Sequence, residues 1–441
     1  MKYDAIIVGG GPGGYSTAIR LGQLGKSVLM IEKEKIGGEC LNYGCIPSKA
    51  LIEMANNISY LKSLPGMRLS YNIDMTQWQG WKWTMINRLV SGIETLCRSY
   101  GVKIIMGNAK IVDKQHVQVG SETHQCDNLV IATGSSATKI DAFRDVYYNR
   151  EILDLKIIPK EMVIIGGGYI GVELGTAFAK LGSQITLIEM LPSILSGMEP
   201  ELIKPVERRM KEMGIRIIVS SKVANVEKRD SRFLVKMESG ATINTDAVLV
   251  TVGRKANVEG FGLEKLNVEL ENGLIKTDKR KMTTEPNVYA VGDVSTGGPM
   301  LAHRAFYDGE VAAKNIAGKS ASVDYYAMPM VVYSDPEIAF TGEKGTKATR
   351  YPLAANGRSQ GMNSPTGFYS IYYNDDGTVT GAGIAAPHAS ELISEISLAV
   401  ESGLNVEDIG LTIHPHPTIS EGIEESAKIA YDKPLHFKPI S

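Results

Sequence analysis

Two cysteines stand five positions apart in the run Gly37-Gly38-Glu39-Cys40-Leu41-Asn42-Tyr43-Gly44-Cys45-Ile46-Pro47-Ser48-Lys49. Thiols this close can form a disulfide that opens and closes, can be unrelated, or can supply half of a zinc site. Zinc requires further Cys or His at matching spacing, and none is nearby. On a regular helix the pair would be separated by about 7.5 Å of rise and point to different faces. A disulfide needs Cα atoms within roughly 7 Å of each other. A redox role therefore requires a kinked or partly helical segment, and Gly44 is placed to permit one.

A second kind of chemistry is written twice. Gly9-x-Gly11-x-x-Gly14 follows the apolar run Tyr3–Val8 and precedes a helical pattern. Gly166-x-Gly168-x-x-Gly171 follows Met162–Ile165 in the same way, 157 positions later. The first glycine permits a tight turn, the second lets backbone approach a pyrophosphate, and the third lets helix and strand pack closely. Each copy ends its next strand with an acid 18 residues past the third glycine, Glu32 and Glu189. Such a carboxylate accepts hydrogen bonds from ribose hydroxyls. At Glu189 it favours NAD, because it would repel a 2′-phosphate, and the next cation downstream is Lys204.

These groups must be held by a large frame. A chain of 441 residues exceeds one hydrophobic core and implies two to four domains. The two βαβ units are too far apart for a solenoid and mark two separate nucleotide-binding domains. Residues 51–100 read as largely helical, with Trp78, Trp81 and Trp83 as packing residues of a helical face. Strand patterns at 125–134 and 246–253 each end at Gly and close a domain. From Tyr326 the pattern changes to strands, helices and Pro-rich turns.

Composition narrows the class. With 43% apolar residues, 22% charged and a net charge of −2, nothing draws the chain to nucleic acid or an anionic membrane. No apolar run approaches the roughly 18 residues of a membrane span. Four cysteines are too few for a disulfide scaffold. With a strand pattern already at Tyr3 there is no room for a leader, so the expected location is cytoplasmic. His414 and His416 would share one face of an extended segment, but no third ligand accompanies them and no metal is expected.

The segment Gly37–Lys49, with the N-terminal glycine motif, resembles the pyridine nucleotide–disulfide oxidoreductase family. Further family features follow in order along nearly the whole chain. They are Ala132-Thr133-Gly134, the second glycine motif with Glu173, Val252-Gly253-Arg254, Asn287–Asp293 and His416-Pro417-Thr418-Ile419-Ser420-Glu421. The resemblance implies an α/β fold with two Rossmann-like domains, for FAD and NAD, and a C-terminal α+β interface domain. Its expected bounds are 1–140 for FAD, 141–256 for NAD, 257–325 returning to the FAD domain, and 326–441 for dimerisation.

It also implies roles. Gly9, Gly11, Gly14, Glu32, Ala109, Gly134, Asp293 and Ala302 would hold FAD, with the helix opening at Pro299–His303 aimed at the flavin. Gly166, Gly168, Gly171, Glu189, Val223 and Gly253 would hold NAD. Cys40 and Cys45 would form the redox disulfide, Cys45 nearer the flavin and Cys40 exchanging with substrate. Lys49 would pair with Glu173 near the flavin and stabilise negative charge on it. His416, oriented by Glu421 and lent by the other subunit of a homodimer, would be the base.

Within the family, Val331–Glu337, Ala355–Arg358, Pro387–Glu391 and His414-x-His416-Pro417 follow the branch that oxidises dihydrolipoamide. The substrate would then arrive on a lipoyl-bearing protein of a 2-oxoacid dehydrogenase or glycine-cleavage complex. A mercuric reductase would carry a vicinal cysteine pair at the C-terminus, where this chain reads Phe437-Lys438-Pro439-Ile440-Ser441. The alternative is an NADH-dependent reductase of another small disulfide, of the glutathione or CoA type. Glu39 stands where the family more often has Thr or Val, and a carboxylate there should disfavour the Cys40 thiolate.

Overall fold

The computed structural model describes residues 2–438. The chain opens with β1 (Lys2–Val8), α1 (Pro12–Gln23) and β2 (Val28–Glu32). Both strands are short apolar runs, β2 being buried throughout, as strands of a parallel sheet covered by helices must be. Three helices follow: α2 (Gly38–Tyr43), α3 (Cys45–Ser63) and α4 (Met75–Ser99). Asp74 starts α4 by accepting hydrogen bonds from the Thr76 and Gln77 N–H groups at 2.9 and 3.0 Å, which satisfies two otherwise orphaned donors.

Then come β3 (Lys103–Met106), the hairpin strands β4 (Ala109–Asp113) and β5 (His116–Val119), and the long β6 (Glu122–Ile131). Strands β3, β2, β1 and β6 run parallel in that order. The first half of β6 carries the antiparallel hairpin. Its second half takes up the strand Val288–Ala290 in parallel, so the chain returns to its first sheet after a long excursion.

That excursion contains α5 (Asn149–Ile152), α6 (Tyr169–Lys180), α7 (Pro200–Glu212) and a second parallel sheet. The sheet orders Arg216–Ile218, Gln184–Ile188, Glu161–Ile165 and Ala247–Val250 side by side. A three-stranded antiparallel sheet, Val223–Arg229 with Arg232–Met237 and Thr242–Thr245, packs on it. After the return strand, α8 (Ala302–Ile316) packs beside α1.

The last part is an antiparallel sheet built on Ile338–Gly342, Val379–Ala385 and Phe368–Tyr373. Ile371 and Ile384 on the sheet meet Ile393, Ile396 and Ile423 from its helices in one core. The fold is thus mixed α/β with two Rossmann-like sheets and an α+β C-terminal part.

The tryptophans depart in part from the sequence expectation. On α4 the buried stripe is Met75, Gln79, Lys82 and Ile86, the spacing of one helix face. Trp78 packs on the core, but Trp81 lies off the stripe and is 55% exposed. The stripe buries the Lys82 ammonium instead, which donates to the Leu153 carbonyl at 3.0 Å and pairs with Asp154. Among the described residues no helix is long and apolar enough to cross a membrane.

Candidate active site

The two glycine motifs fold into near copies of one another. The caps of α1 and α6, Gly11 and Gly168, have φ/ψ of −72°/−173° and −71°/−179°. A Cβ on Gly14 would lie 1.9 Å from the Gly9 carbonyl oxygen, and one on Gly171 2.1 Å from that of Gly166. No side chain fits there, so the third glycine sets how closely helix and strand pack. A Cβ on Gly11 would have only the Gly38 Cα within 4 Å, at 3.8 Å, and one on Gly168 would have no neighbour within that distance. Each second glycine therefore leaves an open cradle over a helix N-terminus.

The acids are positioned alike. Glu32 accepts from the Gly10 N–H at 2.7 Å and the Glu34 N–H at 2.7 Å. Glu189 accepts from the Gly167 N–H at 2.6 Å and the Leu191 N–H at 2.8 Å. Each carboxylate oxygen thus spends one acceptor site on fixing its orientation and keeps a lone pair for a diol. Cradle, helix terminus and oriented carboxylate fit a dinucleotide at both motifs.

From the first motif runs a cavity of about 410 Å³. Gly9, Gly11, Glu32, Ala109 and Gly134 line it, as do Asp293 and Ala302. Gly14 lies behind this wall, in the packing contact described above. Cys40, Cys45, Lys49 and Glu173 line the same cavity, so nucleotide cradle and thiol pair share one cleft. Asp293 accepts from the Ser135 hydroxyl at 2.6 Å, and Ser135 in turn accepts from Arg254 Nε at 2.8 Å. Gly166, Gly168, Gly171 and Glu189 form the second cradle. Val223 is buried in the core between the second sheet and the antiparallel one, and Gly253, at φ +120°, leads out of the second sheet.

Cys40 and Cys45 are joined in a disulfide with Cα atoms 4.7 Å apart. The helix is broken as the spacing requires: α2 ends at Tyr43, Gly44 takes φ −132° and ψ −104°, and α3 starts at Cys45. A Cβ on Gly44 would lie 3.2 Å from the Glu39 carbonyl oxygen and 3.4 Å from the Cys40 Cα. The break and the close approach of the two helix ends are one feature. The remaining cysteines are poor nucleophiles, since burial pushes the Cys97 thiol up to about 11 and the Cys126 thiol up to about 12.

One turn into α3, Lys49 Nζ meets Glu173 Oε2 of α6 at 2.7 Å and stands 4.5 Å from the Tyr333 ring centre. The other Glu173 oxygen accepts from the Tyr333 N–H at 3.0 Å. This buried carboxylate therefore ties three distant stretches of chain together.

His416 does not join the cleft. Its Nδ1 lies 2.7 Å from Glu421, its side chain is 73% exposed, and nearby Ile413 is 93% exposed. Burial works against ionisation of Glu421, but the Thr418 N–H and His416 together hold its carboxyl below the usual range. The expected His416–Glu421 pair is formed, on the surface of the C-terminal part. The His414 side chain is only 5% exposed and bonds Glu395 at 3.1 Å.

Several residues of the site were not singled out from the sequence. Asn149 and Arg150 of α5 hold Glu39, with Asn149 Nδ2 2.7 Å from Oε1 and Arg150 Nε 2.9 Å from Oε2. Arg150 also reaches Glu34 at 3.0 Å and stacks on Tyr43 at 4.1 Å. The Glu39 carboxylate is therefore not a bare charge beside Cys40 but one of two carboxylates paired with Arg150. Pairing across more than 100 positions leaves no local pattern, so only the Arg of Val252-Gly253-Arg254 stood in a recognisable motif.

Two dinucleotide cradles, one opening onto a disulfide, define a nucleotide-dependent disulfide oxidoreductase. The chain belongs to the pyridine nucleotide-disulphide oxidoreductase family, whose profile matches residues 3–309, with the family's dimerisation domain at 328–427. It is 41% identical to a dihydrolipoyl dehydrogenase of Bacillus subtilis over 99% of this chain and 98% of that protein. To the dihydrolipoyl dehydrogenase of Geobacillus stearothermophilus it is 40% identical over the same shares, 99% and 98%. Among solved structures, LpdA from Mycobacterium tuberculosis superposes with a TM-score of 0.91 at 25% identity, over 97% of this chain and 99% of that one.

Proposed function

We propose that this protein oxidises dihydrolipoyl groups to lipoyl groups with NAD⁺ as acceptor. The Cys40–Cys45 disulfide at the end of the first nucleotide cleft carries this reading, and full-length similarity to dihydrolipoyl dehydrogenases supports it. Residues 1–140 and 257–325 make up the FAD unit, 141–256 the NAD unit and 326–441 the dimer interface.

One substrate thiolate attacks Cys40, forming a mixed disulfide and releasing the Cys45 thiolate. The second substrate thiol gives its proton to His416 and attacks the mixed disulfide. The lipoyl ring closes, and Cys40 leaves as a thiolate that takes the proton back from His416. FAD, held by Gly9, Gly11, Glu32 and Asp293, supplies the two-electron link between the cysteines and the pyridine nucleotide. The sum is dihydrolipoyl plus NAD⁺ giving lipoyl, NADH and H⁺. Lys49, fixed by Glu173, places positive charge in the cleft. Glu189 selects NAD by accepting a hydrogen bond from a free 2′-hydroxyl.

His416, which lies outside its own chain's cleft, serves the partner's disulfide in a homodimer. The protein works in the cytoplasm, taking its substrate from a lipoyl-bearing protein of a multienzyme complex. Anaerobic titration of the yellow protein with dihydrolipoamide tests this. A long-wavelength thiolate-to-flavin absorption band, followed by NAD⁺ reduction, is expected. Turnover with glutathione or CoA disulfide and NADH, but none with dihydrolipoamide, would overturn it.

A further inference from the structure

We propose that Glu39 is a positioning residue for the redox couple, clasping the helix that carries Cys40 so that Cys40 is presented to Cys45. The inference rests on reading Cys40–Cys45 as the redox centre.

Helix α2 has only six residues, too few to be stable without tertiary support, and Gly44 disconnects it from α3. Leu41 and Asn42 bury its inner face, and polar contacts fix its outer one. Glu39 takes Asn149 on one oxygen at 2.7 Å and Arg150 on the other at 2.9 Å, and Arg254 Nη1 stands 4.0 Å away. Asn149 also donates to the Tyr43 carbonyl at 2.9 Å, at the far end of the same helix. Arg150 then holds Glu34 at 3.0 Å, and Glu34 accepts from the Tyr43 hydroxyl at 2.8 Å. Asn149 and Arg150 thus grip both ends of the turn that bears Cys40. The Glu39 side chain is 21% exposed and that of Arg150 40%, so these charge-assisted bonds are partly sheltered from solvent.

A clasp and a bare field make opposite demands. If Glu39 acted through its charge, removing it would favour the thiolates, and removing Arg150 would disfavour them. If it acts by holding α2, losing either partner lowers the effective concentration of Cys40 at Cys45, and both changes weaken the disulfide.

The test measures the equilibrium of the Cys40–Cys45 disulfide with dithiothreitol in the holoenzyme, by acid quench, alkylation and mass spectrometry. Glu39→Ala and Arg150→Ala are each expected to make the disulfide about tenfold easier to reduce, roughly 30 mV for a two-electron couple. The double variant should add little to either. Glu39→Gln, which keeps an acceptor oxygen, should fall between wild type and Glu39→Ala. Arg150→Lys keeps the charge but not the planar fork and should shift the same way as Arg150→Ala. If the alanine variants shed flavin, the Gln and Lys variants carry the comparison. Opposite shifts for the two partners, or no shift, would overturn the clasp. A wild-type disulfide that fails to exchange at all would instead overturn the redox centre itself.

Discussion

Glu173 and Lys49 meet at 2.7 Å between α6 and α3, and the same carboxylate accepts the Tyr333 N–H at 3.0 Å. The carboxylate is almost fully buried while the ammonium is one-third exposed, so the glutamate is the end that depends on its partners. Glu173→Ala strands the partly buried Tyr333 N–H and frees a cation in the cleft. It should cost about 1–3 kcal/mol, measured by urea unfolding of the holoprotein. Glu173→Gln, which can still accept from Tyr333, should cost less.

The duplicated cradles allow the nucleotide sites to be damaged separately. Gly14→Ala would drive a Cβ into the Gly9 carbonyl, and Gly171→Ala would do the same at Gly166. The first variant should purify with little flavin absorbance. The second should stay yellow and reducible by dihydrolipoamide, yet fail to bind NAD⁺ in calorimetry.

His416→Gln should lower kcat by about 10²–10⁴, the usual contribution of a positioned general base. Co-expression with Cys45→Ser gives a sharper result. In a mixed dimer one site carries both defects and the other none. Random pairing should therefore restore about a quarter of wild-type sites. No recovery would mean that each chain completes its own site.

His414 gives a pH dependence. Its bond to Glu395 raises its pKa above 6.5 against the opposing effect of burial. A group raised in this way contributes stability that is full below about pH 6.5 and is lost as pH climbs through the folded value. The Tm deficit of His414→Asn should therefore be largest in mild acid and shrink toward alkaline pH.

What could be read from the sequence was what chemistry packs into short spans. The glycine motifs, their acids and the need for a break at Gly44 follow from local geometry. The Lys49–Glu173 pair came only through family resemblance, because its members lie 124 positions apart. Asn149 and Arg150 gave no signal, for nothing in the Tyr148–Ile152 stretch points to Glu39. The exposure of Trp81 was hidden for a related reason: composition suggested a packed aromatic face, but the stripe set by Met75, Gln79 and Ile86 decides which indoles turn inward.

The interruption at Gly44 makes the thiol-bearing stretch two short rods instead of one. Cys45 begins a 19-residue rod whose first half is buried as far as Ala55, whereas Cys40 rides on a separate six-residue one. Uncoupling the sulfurs therefore asks no hydrogen-bonded turn to melt. Parting the two sulfurs then needs only side-chain rotation at the cysteines, and the backbone of α2 stays where Asn149 and Arg150 hold it.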